Sequence, residues 1–145
     1  MLDAYIYDGL RSPFGRSGGA LSGIRPDDLL AEVIRPLMDR STLDGSAIDD
    51  VIIGCANQAG EDSRCVARHA ALRAGLPVEV PGTVLQRNCG SGLGAMISAA
   101  HALTSGEAEV LISGGVESMS RSPFVMGKHA RPFARKQIGR ASCRE

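Results

Sequence analysis

The stretch Gly82-Thr83-Val84-Leu85-Gln86-Arg87-Asn88-Cys89-Gly90-Ser91-Gly92-Leu93-Gly94 runs from a strand signal through a tight turn into a helix signal. Thr83 to Leu85 is a short β-prone run, and Leu93, Ala95, Met96, Ile97, Ala99, Ala100, Ala102 and Leu103 continue as a small-residue helix closed by Gly106. Upstream, Ile48 to Gly54 is a continuous β-branched run of the kind found in parallel strands covered on both faces. Between these strands, Ser63 or Asp62 caps a helix through Val66, Ala67, Ala70, Ala71 and Leu72, ended by Gly75 with Pro77 just beyond. Glu109 to Ser113 reads as a further strand, stopped by Gly114-Gly115. Towards the N-terminus, Ala4-Tyr5-Ile6-Tyr7 before Asp8-Gly9 reads as a first strand, and Arg11 to Gly23 as a long loop. Leu29, Leu30, Val33, Ile34, Leu37 and Met38 recur at helical spacing, with Asp27 or Asp28 as N-cap or first-turn acid and Pro36 as a kink point. The order βαβαβαβ implies right-handed crossovers and an α/β fold with a mostly parallel sheet. The third helix, small and apolar all round, is expected to lie between two layers.

The composition agrees with this reading. Of 145 residues, 43% are hydrophobic, 22% charged and 18 are Gly, which excludes disorder and favours tight βα turns over a helical bundle. Lys plus Arg and Asp plus Glu number 16 each, so no broad basic face for nucleic acid or anionic lipid is expected. The cysteines at 55, 65, 89 and 143 form no CxxC pair and no metal-ligand spacing, and no apolar run approaches a membrane span. A cytoplasmic protein with reduced thiols and no membrane association is expected.

Cys89 is the candidate nucleophile. At a strand-to-helix turn, first-turn N–H groups and the positive end of the helix macrodipole stabilise a thiolate and raise its reactive fraction. The flanking glycines admit an acyl group to the backbone, where free N–H groups can form part of an oxyanion site. An isolated cysteine is more often a small packing residue; position and glycine setting favour the nucleophile for Cys89, and packing for Cys55 and Cys65. His69, His101 and His129 have no acid partner at a telling spacing, so no general base is evident. Glu117, in the turn after Gly114-Gly115, reads as a carboxylate holding loop N–H groups rather than as a catalytic acid.

Four motifs resemble the N-terminal part of the thiolases, the acetyl-CoA acyltransferases: Arg11-Ser12-Pro13-Phe14-Gly15-Arg16 with Gly18-Gly19; Gly54-Cys55-Ala56-Asn57-Gln58-Ala59-Gly60-Glu61-Asp62; Asn88-Cys89-Gly90-Ser91-Gly92; and Gly114-Gly115-Val116-Glu117-Ser118-Met119-Ser120. The second and fourth are more similar to degradative thiolases, including those for 3-oxoadipyl-CoA, than to biosynthetic ones. The resemblance implies Cys89 as the catalytic residue in cleavage of 3-oxoacyl-CoA by CoA, or in the reverse Claisen condensation. CoA is then a substrate, no metal or other cofactor takes part, and the full-length protein is a homodimer or homotetramer. A ketoacyl-synthase relative and a non-catalytic thiolase-like module are the alternatives. The family's Gly-His-Pro and Cys-x-Gly-Gly-Gly motifs are missing, so this chain is expected to be inactive alone, with the Ala99, Ala100, Leu103 side of its third helix bared. Residues 1–126 are expected to form a partial N-terminal domain, and 127–137 the start of a loop region. Basic residues crowd the stretch from Gly127, which reads either as a solvated tail or as an artefact; 138–145 resembles a translated sequencing adapter, in which Cys143 has no meaning.

Overall fold

A continuous apolar run within a strand must be covered on both sides, and Val51 to Gly54 of Asp50–Gly54 (β1) are all buried. The computed structural model describes residues 3–58, 61 and 64–125. In it, β1 is the central strand of a parallel three-stranded sheet, between Gly82–Leu85 (β2) and Leu111–Gly115 (β3). Pro26–Asp39 (α1), Val66–Ala74 (α2) and Ser91–Ser105 (α3) complete the architecture. The step from β1 to β2 and the return from β2 across β1 to β3 run in opposite directions. Crossovers of one hand therefore put α2 and α3 on opposite faces of the sheet.

Side-chain alternation divides the core in the same way. Val51, Ile53 and Cys55 join Leu30 and Ile34 of α1 and Val66, Ala67, Ala70 and Ala71 of α2 on one face. On the other, Ile52 packs with Ala95 and Ala99 of α3 and with Leu111. The register is pinned at the strand starts, where the Asp49 carboxylate accepts the N–H groups of Glu109 (2.7 Å) and Val110 (3.0 Å). Gly75 and Gly106 close α2 and α3 in the left-handed conformation, as their positions in the sequence imply.

Close approach between backbones fixes where α3 begins. A β-carbon on Gly54 would lie 2.2 Å from the Ser91 carbonyl carbon, and one on Gly115 would lie 3.1 Å from the Gly92 Cα. The first turn of α3 therefore sits directly on the carboxyl ends of β1 and β3, in space that side chains would fill.

Several sequence expectations are corrected here. No strand forms at Ala4 to Tyr7: Tyr5, Ile6 and Tyr7 are about four-fifths or more exposed, and no strand lies beside them among the described residues. A β-prone run without a partner edge has no ladder to join. The sheet accordingly has three strands rather than four among the described residues. Gly114-Gly115 does not stop the last strand but lies inside it, paired with Ile53 and Gly54. The position before α2 is held by Cys65, without a side-chain cap, while the expected caps Asp62 and Ser63 lie outside the described residues. Among the described residues the α3 helix is covered on one side: Ala99 is buried against the sheet, and Leu93, Met96 and Ile97 are its exposed large apolar residues. The helix α1 runs on through Pro36. The expected segments 127–137 and 138–145, with His129 and Cys143, also lie outside the described residues.

Gly54→Ala is expected to lower stability by at least about 2 kcal/mol, because the added methyl overlaps backbone that cannot swing away. Gly23→Ala, where a β-carbon meets nothing within 4 Å, is expected to be neutral or slightly stabilising. Urea denaturation of the two variants followed by circular dichroism checks the contrast.

Candidate active site

Cys89 sits at the crest of the turn between β2 and α3. The Gly90 N–H donates to the Arg87 carbonyl (3.1 Å), closing the turn, and Asn88 holds φ at 50°. Asn is among the few residues that adopt this left-handed region at small cost. Ser91 ties the turn from below: its hydroxyl donates to the Asn88 carbonyl (2.6 Å) and accepts from the Arg87 N–H (2.8 Å). The hydroxyl is buried and both of its bonds are local, so the geometry at Cys89 is set by the chain segment that carries it. The thiol itself is exposed, immediately ahead of the first turn of α3.

The turn opens into a cleft of about 1130 Å³ at the carboxyl ends of the strands. Ligands in open α/β sheets bind where adjacent strands send their connections to opposite faces, as β1 and β2 do here. Three loops shape the cleft: the one after β1 (Ala56, Asn57), the one after β3 (Val116 to Ser120) and the N-terminal loop (Leu10 to Ser17). Glu117 joins the first two, its carboxylate accepting the N–H groups of Ala56 (2.8 Å) and Asn57 (3.1 Å). This is the loop-holding role read from its sequence position. The Ser120 hydroxyl accepts the Gly18 N–H (2.8 Å), tying in the third loop.

A charged brace lies behind these loops. Arg121, in the 3-10 turn Met119–Arg121, grips the Glu61 carboxylate with two nitrogens and also donates to the Ser22 carbonyl (3.3 Å). Arg25 donates to the Glu61 carbonyl oxygen (2.7 Å) and pairs through two nitrogens with the buried Asp27. The Arg121 guanidinium holds the Glu61 carboxyl below its ordinary value. Burial pushes the Asp27 carboxyl up, but the hydrogen bonds and charge of Arg25 outweigh it and the net shift is downward. Only Asp27 was singled out from sequence, and as a helix-start acid. Ser91, Asn88, Glu61 and Arg121 lie within or beside quoted motifs, yet their partnerships were not read. For Ser91 the signal is its place three residues after Asn88 at a helix start; the Glu61–Arg121 pair spans sixty residues and leaves none.

The other candidates fall away from the cleft. Cys55 is buried in the core, and Cys65 is half-buried with its sulfur 3.4 Å from the Gly82 carbonyl. His69 lies on α2 and His101 on α3, and no histidine lines the cleft among the described residues. No group of His, Cys, Asp and Glu suited to a metal ion, and no helix long and apolar enough to cross a membrane, occurs among the described residues.

A strand-turn-helix cysteine at the mouth of such a cleft is chemically suited to acyl transfer. Residues 4–144 match the thiolase N-terminal domain, and the chain belongs to the thiolase family. It is 59% identical over 137 residues to a beta-ketoadipyl-CoA thiolase of Escherichia coli, an alignment covering 94% of this chain and 34% of the relative. A beta-ketoadipyl-CoA thiolase of Acinetobacter baylyi is 55% identical over 138 residues, with the same shares covered. The crystal structure of the Bacillus anthracis acetyl-CoA acetyltransferase superposes with a TM-score of 0.82 at 39% identity, covering 91% of this chain and 33% of that one. The chain thus spans about a third of the length of these relatives.

Two outcomes are expected from the site as built. Iodoacetamide at neutral pH should alkylate Cys89 ahead of Cys65, and Cys55 last, as read by peptide mass spectrometry; alkylation of Cys55 at the rate of Cys89 contradicts this geometry. The pH response follows from the lowered carboxyls. Asp27 and Glu61 titrate lower folded than unfolded, so the unfolded chain binds more protons in the acid range. Their contribution is full above their ordinary values of 3.8 and 4.5 and is lost as pH falls through the folded ones. Urea midpoints measured from pH 7 to 3 should hold level and then drop, and the drop should be shallower in Glu61→Gln.

Proposed function

We propose that this chain supplies the nucleophilic part of a thiolase that cleaves 3-oxoacyl-CoA with CoA, and that Cys89 is its nucleophile. The observation that carries the reading is the exposed Cys89 thiol, held by Ser91 on a rigid strand-turn-helix at the mouth of the cleft. The thiolate adds to the C3 carbonyl carbon of the substrate, and the C2–C3 bond breaks. Its electron pair leaves with acetyl-CoA and takes up the proton that the Cys89 thiol gave up on forming the thiolate, while the remaining acyl group stays on sulfur as a thioester. The CoA thiol then attacks this thioester, its proton returns to Cys89, and a shortened acyl-CoA departs. Atoms and electrons balance between the acyl-CoA and CoA alone. The positive end of the α3 dipole, just beyond Cys89, favours the negative charge that develops there.

The named activities of the relatives direct the reading to 3-oxoadipyl-CoA and similar dicarboxylyl substrates. Cytoplasmic placement, which suits reduced thiols, and homo-oligomeric assembly of the full-length protein belong to the same proposal.

The test is a chimera in which this chain replaces the matched third of the Escherichia coli relative. It should release acetyl-CoA from 3-oxoadipyl-CoA in a CoA-dependent manner. Cys89→Ser in that chimera should lower kcat by at least about a thousandfold with the fold retained; undiminished turnover would refute Cys89 as nucleophile. The 145-residue chain alone should show no turnover, since no histidine lines its cleft among the described residues.

A further inference from the structure

The N-terminal loop brings two guanidinium groups to the cleft, and nothing in the reaction above uses them. Arg11 and Arg16 both line the cavity that holds Cys89. Among the described residues neither is in an ion pair, and Glu117, the one carboxylate lining the cleft there, is occupied by the Ala56 and Asn57 N–H groups. Five described arginines, Arg25, Arg35, Arg40, Arg73 and Arg121, each grip a carboxylate, and Arg68 is taken up by the Val78 and Val80 carbonyls away from the cleft. The Arg11 guanidinium lies 5.3 Å from the centroid of the Phe14 ring. At that distance the contact is a cation–π one, which takes up no carboxylate, so the guanidinium keeps hydrogen-bonding capacity for a planar anion. The Arg16 stem crosses Gly19, where a β-carbon would meet its Cγ at 2.8 Å. The loop that carries both residues is anchored to the loop after β3 by the Gly18–Ser120 bond.

We infer that Arg11 and Arg16 form a carboxylate-recognition subsite, taking the distal carboxylate of a dicarboxylyl chain whose reacting carbonyl lies at Cys89. A guanidinium edge matches a carboxylate in two parallel hydrogen bonds, and two such groups in one cleft give it a positive field. The inference rests on the proposed role of Cys89 and deepens it by adding the residues that select the substrate. Phosphate groups of CoA offer related anionic chemistry, so the test separates the two sources.

The 145-residue chain is reacted with 6-maleimidohexanoate and with its methyl ester, and the labelling rate of Cys89 is read by peptide mass spectrometry. The carboxylate reagent should be faster at Cys89 by about threefold or more, the range open to exposed charge pairs. The preference should fall towards unity in an Arg11→Gln, Arg16→Gln double variant and at high ionic strength. Adipate should suppress it more strongly than equal concentrations of inorganic phosphate or adenosine 3′,5′-bisphosphate. An unchanged preference in the double variant overturns the inference, as does suppression by the phosphates and not by adipate. If the methyl ester still labels Cys89 first in either case, the nucleophile reading survives without the subsite. Should Cys89 show no labelling advantage with any reagent, arginine Nε–H resonances during adipate titration still decide the subsite. Shifts confined to Arg11 and Arg16 support it, and their absence overturns it.

Discussion

Everything at the candidate site depends on how closely the first turn of α3 can approach the sheet. Gly54 and Gly115 end two adjacent strands, Gly92 lies in the facing helix turn, and backbone meets backbone across them. That contact carries the start of α3 over the strand ends and leaves the Cys89 turn at the rim of the cleft rather than against a wall of side chains. The usual cost of glycine in strands and helices is accepted here because no other residue permits the distance.

Around this junction the protein uses polar bonds where an apolar core is absent. The segment after β3 ties in both of the others: Glu117 bonds the N–H groups after β1, Ser120 bonds Gly18, and Arg121 bonds both Glu61 and Ser22. These ties are short and directional, so they fix loop positions without filling the cavity. The apolar core lies on the far side, chiefly between the sheet and the α1–α2 layer, and serves as the platform from which the loops project.

How much of this was legible in the sequence varied with the range of the interaction. The continuous apolar run of β1, the closing glycines 75 and 106, and the strand-turn-helix around Cys89 are local signals, and the structure has each of them. Tyr5-Ile6-Tyr7 carries an equally strong strand signal, but a strand exists only through its neighbour and none is beside it among the described residues. Gly114-Gly115 was read as a terminator because sequence shows a glycine's freedom and not the helix pressing against it. The face of α3 was misassigned because that helix is apolar nearly all round. Size, not polarity, decides which side meets the sheet, and Gly94, Ala95 and Ala99 go inward while Leu93, Met96 and Ile97 stay out. The Glu61–Arg121 brace joins residues sixty positions apart, a distance that no local pattern encodes.

The bond from Gly18 to Ser120 spans 102 residues and has a bearing on the order of events during synthesis. The cleft has no early nucleus: its N-terminal wall is made first and must wait, untethered, until nearly the whole described chain has emerged. The Cys89 turn, held by bonds no longer than four residues, can form well before that. The local bonds of the Cys89 turn thus become available to the growing chain before the tie that closes the N-terminal wall of the cleft.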